Sequence, residues 1–389
     1  MPADPPQKTR LVILYGGRSG EHEVSIASAT SVLQAIDRQH YDVLPVYLTP
    51  EGRWLPAVDP RHLLEEGAPS SSTPAALLSS DPQQRGLLPL PTVSGAHIEA
   101  IRPIDVVFPL LHGTYGEDGT VQGLLELADI PYVGSGVLGS AVGMDKGIMK
   151  ILFQAAGLPV VPHMVVLRRD WEHQPSAVQE RILATLPLPL FVKPANLGSS
   201  VGVSKVTHVT ELPMALDLAC QYDRRLLVEQ GITCRELECS VLGNDTPQVS
   251  VVGEIVSHRA FYDYEAKYSE GQSALHIPAD IEAPLAEELR RMAAVAFQAV
   301  EAAGLARVDF FVERQTLKAY VNEINTLPGF TTVSMYPKLW EASGLSYSQL
   351  IDRLVQLAVE RHQDRQRSRT TYDVRALNTS PQERSRNSK

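Results

Sequence analysis

The sequence predicts a mixed α/β protein, in the broader α+β sense that includes antiparallel sheets, on three observations. Residues 11–15 form an apolar run that leads through a glycine-rich turn into a helical periodicity. Residues 105–110 repeat the order of buried strand, loop and helix. Residues 306–311 and 319–325 alternate as two strands with a short connection, which predicts an antiparallel hairpin. Strands and helices that alternate along a chain are typical of α/β proteins.

The first third of the chain supplies one α/β unit. The run at 11–15 predicts a buried parallel strand, and the glycines of residues 16–20 predict a tight turn. The strand at 105–110 is followed by a loop at 112–119 and a helix to residue 128. Helical spacing after the first turn is carried by Ile26, Ala29, Leu33 and Ile36.

Two further segments of this part are not predicted as helix or strand. Residues 69–84 are rich in Ser, Pro and Ala, which predicts a surface insertion. Residues 130–136 read as a boundary before the next unit.

The middle of the chain predicts another set of helices and strands. Asp145 is placed to cap a helix whose apolar residues are Ile148, Ile151, Leu152 and Ala155. Strands are predicted at 190–193, 201–206 and 225–229, and a half-buried antiparallel strand at 236–242. A long helix is predicted over 284–303, with Gly304 at its end.

Composition excludes several classes of protein. The chain has 389 residues, of which 44% are hydrophobic and 21% charged, an ordinary soluble profile. A net charge of -10 argues against nucleic-acid binding. Three cysteines without zinc spacing favour a reducing cytoplasm. No apolar run reaches the roughly 18 residues of a membrane span, and residues 363–389, rich in Arg and Ser, predict a disordered tail.

The predicted hairpin gathers charged side chains on one face. Arg307 and Asp309 share a face of the first strand, and Glu323 and Asn325 share a face of the second. Carboxylate and amide oxygens suit Mg²⁺, and an adjacent guanidinium stabilises negative charge beside the metal. Two amphipathic strands with solvated charges would show the same pattern.

A second candidate site lies in the middle of the chain. Lys193 ends a predicted strand, and the Gly/Ser-rich residues 195–202 that follow can offer backbone N–H groups and hydroxyls to a phosphate. Residues 226–232 read as a strand that ends in Glu229 and then exposes amides, an arrangement that can hold an adenine and its ribose. A glycine hairpin and a buried strand meeting a turn are the alternatives.

Taken in order, these motifs resemble the ATP-grasp superfamily and, within it, the D-alanine–D-alanine ligase family. The resemblance extends from about residue 11 to about residue 357. The motifs that carry it are residues 16–25, 111–113, 116–120, 144–146, 193–194, 198–202, 235–238, 265–268, 307–309 and 322–329.

The resemblance implies three domains around one cleft and an ATP-dependent ligase of two D-alanine molecules for peptidoglycan precursors. It predicts a cytoplasmic homodimer that uses ATP and two Mg²⁺ ions, with Mn²⁺ as the alternative, and binds neither nucleic acid nor membrane. The expected limits are 8–134 for the N-terminal domain, 135–228 for the central domain and 229–362 for the C-terminal domain with a lid at 257–273; the tail covers 363–389.

The resemblance also implies roles for individual residues. ATP would lie between the central and C-terminal sheets, with lysines on its phosphates, residues 229–232 beside adenine and Glu236 on the ribose. Residues expected to bind ATP are Lys146, Lys193, Ser200, Glu229, Gln230, Ile232, Glu236 and Lys267. Asp309, Glu323 and Asn325 would hold the metal.

The two D-alanine sites are implied in the same way. Glu23 would hold the ammonium of the first D-alanine, with Ser199 and Tyr268 linked to it. His112 would lie near that substrate. Arg307 and the backbone of Gly329 would face the oxyanion. The second carboxylate would be held by Ser334 and Met335.

Three other functions fit parts of the pattern. A ligase that joins D-alanine to D-lactate would differ in the mobile loop, where a Tyr at position 268 favours the dipeptide. Another ATP-grasp carboxylate–amine ligase is disfavoured by Glu23 and by residues 199–200. A nucleotide-binding regulator without catalysis should lack a metal ligand or Arg307, and the sequence retains all of them.

Overall fold

The computed structural model describes residues 8–67, 69, 73–90, 103–257 and 273–370. Within these ranges the chain forms three sheets with helices packed on them. This confirms the predicted α/β class with antiparallel sheets. Among the described residues, none of the helices combines the length and the apolar character that a membrane span needs.

The first sheet has six strands in the order β5-β4-β3-β2-β1-β6. The strand β1, next to the edge strand β6, is parallel to both β2 and β6, and the remaining pairings are antiparallel. The strands are β1 (Thr9–Gly16), β2 (Tyr41–Leu48), β3 (Trp54–Pro56), β4 (Ala76–Leu78), β5 (Leu87–Pro89) and β6 (Val106–Leu110). The helices of this part are α1 (His22–Ala35), α2 (Pro60–Glu66) and α3 (Thr120–Leu127).

The turn between β1 and α1 requires a glycine at its first position. Gly16 has φ +91°, and a Cβ there would lie 2.3 Å from the carbonyl oxygen of Leu48. The amide of Gly16 donates to Ser25 Oγ at 2.7 Å, which ties the turn to the first helix. The start of α1 is thereby fixed at the edge of the sheet.

The second sheet has four strands in the order β7-β10-β8-β9. Its strands are β7 (His163–Leu167), β8 (Leu190–Pro194), β9 (Ser204–Val206) and β10 (Arg225–Gln230). The helices that precede or pack on it are α4 (Val137–Met144), α5 (Lys146–Ala155), α6 (Arg168–His173), α7 (Pro175–Thr185) and α8 (Leu212–Tyr222), with a 3₁₀ turn at Val209–Glu211.

The third sheet has five antiparallel strands in the order β13-β12-β11-β14-β15. Its strands are β11 (Cys234–Gly243), β12 (Gln248–Ser257), β13 (Ser273–His276), β14 (Gly304–Glu313) and β15 (Ala319–Asn325). Its helices are α9 (Ala283–Ala299), α10 (Met335–Ala342) and α11 (Tyr347–Gln366). The pairing of β14 with β15 confirms the predicted hairpin.

The C-terminal helices return to the first sheet. Phe330 is fully buried, and its ring lies 5.5 Å from that of Phe108 and 5.4 Å from that of Tyr347. Residues of α11 share a hydrophobic core with those of β1 and α1. The loop after β15 is therefore held by the first sheet as well as by the third.

Several predicted elements differ from the structure. Residues 69–84 are not only an insertion, because β4 adds Ala76 and Leu78 to the buried face of the first sheet. The predicted strand at 201–206 is limited to β9. The predicted helix over 284–303 ends at Ala299, and Gly304 begins β14 instead.

Three predicted environments also differ. The strand predicted as half-buried is covered on both faces, since Glu238 is 5% exposed and Ser240 is fully buried. Helix α5 exists as predicted, but its predicted apolar face is wrong: Ile151 is 53% exposed, Ile148 and Ala155 are exposed as well, and the buried face carries Met149 and Phe153 instead. The predicted tail begins too early, because α11 continues to Gln366. The predicted limit between residues 228 and 229 falls inside β10, and the domain limits remain a prediction.

Candidate active site

A cavity of about 450 Å³ lies between the second and third sheets. Its size is typical of sites for small molecules. Apolar walls come from Phe191, Leu237, Phe310 and Phe311. It brings together the predicted residues Lys146, Lys193, Ser199, Ser200, Glu229, Gln230, Ile232, Glu236, Asp309 and Glu323.

A buried carboxylate organises the lysines on one wall of this cavity. Glu229 is 2% exposed and forms ion pairs with both Lys150 (Oε1 to Nζ, 2.7 Å) and Lys193. Burial alone would raise the pKa of Glu229, but the two ammonium groups outweigh it and lower that pKa to about 2. Burial likewise disfavours the Lys193 ammonium, yet the Glu229 charge raises the pKa of Lys193 above its usual range. The pair therefore stays ionised at neutral pH.

The second predicted phosphate lysine lies at the start of α5. Asp145 caps this helix by accepting from the amides of Gly147 and Ile148, each at 3.0 Å. The ammonium of Lys146 then donates to the carbonyl oxygen of Leu197 at 2.9 Å and lies 3.4 Å from Glu323. The cap thus places a cation between the Gly/Ser loop and the third sheet.

The Gly/Ser loop after β8 is held in an unusual backbone conformation. Ser199 and Ser200 have φ of 51° and 58°, values that non-glycine residues rarely adopt. Residues in such conformations persist only where their surroundings hold them, and they are frequent at functional sites. Here the Ser199 hydroxyl donates to the carboxylate of Glu21 from the first turn region of the chain.

This contact corrects one predicted link. We expected Ser199 to join Glu23, but the acceptor is Glu21. Glu23 is exposed on α1. Burial raises the pKa of Tyr47 in β2, and the nearby charge of Glu23 raises it further. The Glu23 side chain is therefore close to β2.

Glu21 lies in a narrow, partly buried space. A Cβ added at Gly113 would lie 2.8 Å from its Oε2, and one added at Gly198 would lie 3.0 Å away. Glu117 accepts from the amide of Gly113 at 2.7 Å. Burial, followed by the charge of Glu21, raises the pKa of Glu117 to about 8. Two carboxyl groups thus meet at Gly113, which suits a cationic ligand.

His112 connects this space to the third sheet. It is 3% exposed, its Nδ1 lies 3.0 Å from the carbonyl oxygen of Leu327, and its Nε2 lies 2.9 Å from Ser28 Oγ. Burial lowers the pKa of His112, so the ring is neutral. A neutral ring donates from Nδ1 to the carbonyl and accepts from Ser28 through Nε2. The amide of Phe330 donates to the same Ser28 hydroxyl at 3.3 Å.

The predicted metal ligands lie together on the hairpin. Asp309 pairs with Glu323 across the strands, and the Asn325 amide nitrogen lies 3.0 Å from Asp309 Oδ2. The guanidinium of Arg307 donates two bonds of 2.7 Å to Asp309 and lies 2.9 Å from Glu238. Burial opposes the charge of Arg307, but the carboxylates of Asp309 and Glu238 raise its pKa well above the usual range. Within the described ranges, no group of three His, Cys, Asp or Glu side chains has the arrangement of a preformed metal site.

The remaining predicted residues lie beyond the cavity or outside the described residues. Ser334 precedes α10, and its Oγ accepts from the amide of Thr331 at 3.1 Å. A Cβ at Gly329 would lie 3.1 Å from that hydroxyl oxygen, and Met335 is buried at the first position of the helix. Lys267 and Tyr268 lie in the segment 258–272, outside the described residues. The described residues on either side of it, Ser257 and Ser273, pair with each other at the ends of β12 and β13.

Four site residues were assigned no role from the sequence: Glu21, Glu117, Lys150 and Glu238. Lys150 could have been found as a lysine on the buried face of α5, beside Met149 and Phe153. Glu21 was included in a motif, but nothing in the local sequence distinguished it from Glu23. Glu238 alternates in step with Ser240, so the sequence predicts both on an exposed polar face. The structure buries both residues and pairs Glu238 with Arg307.

Models of two protein families match this chain. The model described as D-ala D-ala ligase N-terminus matches residues 10–135, and that described as D-ala D-ala ligase C-terminus matches residues 152–356. The D-alanine--D-alanine ligase of Deinococcus radiodurans is 52% identical over 355 residues, which cover 91% of this chain and 99% of the relative. That of Geobacillus kaustophilus is 48% identical over 365 residues, covering 94% and 98%.

Solved structures show the same likeness. The D-alanine-D-alanine ligase from Coxiella burnetii has a TM-score of 0.79 and 38% identity, covering 92% of this chain and 96% of its own. The VanG D-Ala:D-Ser ligase from Enterococcus faecalis has a TM-score of 0.81 and 36% identity, covering 90% and 100%. Both likenesses extend over all three sheets.

The ionised Glu229 predicts a pH-dependent contribution to stability. Its folded pKa lies below that of an unfolded glutamate, so its stabilisation is complete above the unfolded pKa and is lost as the pH falls towards about 2. Replacement with Gln removes this contribution. We expect the difference in unfolding free energy between wild type and Glu229→Gln to shrink by on the order of 1 kcal/mol between about pH 5 and about pH 3.5.

Urea denaturation at several pH values measures this difference. Glu287→Gln, on an exposed face of α9, is the matched control and should follow wild type throughout. A difference for Glu229→Gln that stays constant over the range would contradict the assignment.

Proposed function

This chain belongs to the D-alanine–D-alanine ligase family, and we propose that the cavity between its second and third sheets, together with the space around Glu21, is its active site. The protein catalyses the ATP-dependent ligation of two D-alanine molecules to D-alanyl-D-alanine for peptidoglycan precursors, with release of ADP and phosphate. The observation that carries the location is the meeting of Lys146, Lys193 and Glu323 in one cavity beside the Glu21–Ser199 contact.

The lining residues suggest how ATP would bind in the cavity. The lysines and the Gly/Ser loop would bind the phosphates. The backbone after Glu229 and the side chain of Ile232 would border the adenine, which would pack against Phe191 and Phe311. The carboxylate of Glu236 lines the same region and would accept from the ribose hydroxyls. Gln230 also lines the cavity, and we expect its backbone to contact the adenine.

The hairpin residues fit a divalent cation. Asp309, Glu323 and Asn325 present oxygen donors on neighbouring strands, and oxygen donors are what Mg²⁺ requires. These three residues would hold Mg²⁺, two ions in our proposal, with Mn²⁺ as the alternative. When bound, Mg²⁺ neutralises charge on the phosphate oxygens.

The first D-alanine would bind at Glu21. Its ammonium would lie between the Glu21 carboxylate and the Glu117 carboxyl group, and neutral His112 would form the adjacent wall. In this orientation the substrate carboxylate would point past Ser199 towards the residues that we propose for the phosphates. A carboxylate oxygen then attacks the γ-phosphorus, the bond to the bridging oxygen breaks, and ADP and an acyl phosphate form.

The second D-alanine would bind towards α10. Its carboxylate would lie at the amino end of this helix, near Ser334 and Met335, where helix N–H groups favour an anion. Its amine attacks the acyl carbonyl. The oxyanion that forms would be stabilised by Arg307, held in place by Glu238, and by the Gly329 backbone, until phosphate leaves.

The remaining features of the proposal concern the lid and the assembly. An acyl phosphate exposed to water would hydrolyse, so a closing segment is chemically required. Lys267 and Tyr268 in the 257–273 segment are the residues that we assign to it. We also propose that the enzyme is a cytoplasmic homodimer that binds neither nucleic acid nor membrane.

Substrate choice tests the proposed function directly. Phosphate release from ATP should require D-alanine and should stay at background with L-alanine or D-lactate alone. Because one similar structure is a D-Ala:D-Ser ligase, D-serine added to D-alanine is the informative competitor. Mass spectrometry should show D-alanyl-D-alanine as the main product. Equal rates with L-alanine, or a mixed dipeptide as the main product, would contradict the proposal.

Glu21 and Glu23 provide a matched pair of variants. Glu21→Gln should weaken D-alanine binding by roughly ten- to a hundredfold, since a charge-assisted hydrogen bond contributes about 1.5–3 kcal/mol. ATP binding should remain within about twofold. Glu23→Gln should leave both affinities nearly unchanged. Calorimetry distinguishes them, and a larger loss of D-alanine affinity in Glu23→Gln would restore our original prediction.

The proposed metal site predicts the effect of removing one anionic ligand. Glu323→Gln should keep the fold but lose on the order of a hundredfold or more in turnover at saturating Mg²⁺. Mn²⁺ binding in the presence of ADP should weaken in parallel, as measured by electron paramagnetic resonance. Glu287→Gln is the control. Turnover within threefold of wild type, with unchanged Mn²⁺ binding, would show that Glu323 is not a ligand.

A further inference from the structure

Lys150 is a fully buried lysine that none of the proposed substrate contacts uses. It lies in the middle of α5 on the face that also carries Met149 and Phe153. Its ammonium lies 2.7 Å from Glu229 Oε1 and donates to the carbonyl oxygen of Asn322 at 2.9 Å. An apolar side chain would be the ordinary occupant of such a position, since burying an ammonium is costly unless it is paired.

The first partner of Lys150 is Glu229, which also contacts the proposed phosphate-binding residue Lys193. Glu229 uses its other oxygen to bind Lys193. A carboxylate held at both oxygens has a fixed orientation, so Lys193 is held at the cavity wall by a group that Lys150 itself holds. Without Lys150, Glu229 could turn and take Lys193 with it.

The second partner of Lys150 is the carbonyl of Asn322, which directly precedes the proposed metal ligand Glu323. A β-bulge follows Asp309 in the β14–β15 pairing, so that Phe310 pairs with Val321 and Asn322 is left out of the ladder. A bulge re-aims the side chains beside it and leaves backbone groups without their strand partners. Here the carbonyl of Asn322 accepts from Lys150 instead. The next residue is Glu323.

We propose that Lys150 is a positioning residue for ATP, which sets the phosphate-binding Lys193 and the metal-binding Glu323 at the correct separation across the two sheets. The contacts join α5, β10 and β15 at one ammonium group. The inference rests on the proposed function, because it assumes that ATP occupies this cavity. It assigns Lys150 no direct contact with a substrate.

The test is a double-mutant cycle on ATP binding. The variants are Lys150→Met, which keeps the length of the side chain, Glu229→Gln, and the two combined. Calorimetry with ATP and Mg²⁺ should show a loss of about tenfold for Lys150→Met. In the Glu229→Gln background the same substitution should cost about threefold or less, because its main partner is already neutral. Lys318→Met, in the exposed connection before β15, is the control and should bind ATP like wild type.

A kinetic comparison separates positioning from general damage to the fold. Lys150→Met should raise the KM for ATP about tenfold, while the KM for D-alanine at saturating ATP changes less than twofold. Equal increases in both, or an ATP affinity within twofold of wild type, would overturn the proposal. If Lys150→Met does not fold, Glu229→Gln is compared with the double variant. A double variant that binds ATP tenfold more weakly than Glu229→Gln would also overturn it.

Failure of this inference differs from failure of the proposed function. ATP binding is measured without D-alanine, so it tests Lys150 even if D-alanine proves not to be the substrate. In the converse case, the wild-type enzyme ligates D-alanine while Lys150→Met binds ATP as tightly as wild type does. That result would reject the positioning role of Lys150 and leave the proposed function standing.

Discussion

The buried carboxylate of Glu229 between two lysines is the constraint on which the proposed nucleotide cavity depends. The carboxylate of Glu229 is held at both oxygens by Lys150 and Lys193, and it is the charged partner that the two ammonium groups share. Removing Glu229 would leave two buried ammonium groups without this partner, and removing Lys150 would free one of the two carboxylate oxygens. The cluster therefore joins α5, β8 and β10 into one unit and brings β15 to it through the Asn322 carbonyl.

A second set of contacts fixes the proposed amino-acid sites relative to that cavity. The loop after β15 is held by the first sheet through His112 on the Leu327 carbonyl and Ser28 on the Phe330 amide. The buried ring of Phe330 packs against Phe108 in the same region. Since this loop follows Asn325 directly, the strand that carries the proposed metal ligands Glu323 and Asn325 cannot move independently of the first sheet and α1 without breaking these bonds. These contacts therefore fix the proposed space for the first substrate relative to the proposed space for ATP.

The sequence predicted the features that depend on local signals. The β14–β15 hairpin, the cap of Asp145 on α5 and the turn after β1 all follow from side chains within a few residues of one another. The strand β4 was missed because three residues of Ala and Leu between polar segments carry little strand signal, and only the neighbouring strands make them part of a sheet.

The sequence predicted most of the residues that line the candidate site, but not which of them contact one another. Glu21 and Glu23 lie two residues apart, and only the Gly/Ser loop, about 178 residues away in sequence, distinguishes them. Lys150 was missed for the same reason, because its partners Glu229 and Asn322 belong to distant strands. Contacts of this kind depend on tertiary packing, which no local pattern records.

The central claim is that a D-alanine carboxylate attacks ATP in this cleft before the peptide bond forms. Its most direct test is ligation with D-alanine labelled with ¹⁸O in both carboxylate oxygens. Attack on the γ-phosphorus predicts that each phosphate released carries one ¹⁸O atom, because the oxygen that forms the acyl phosphate leaves with phosphorus. Phosphate released without label, while labelled dipeptide accumulates, would contradict the account.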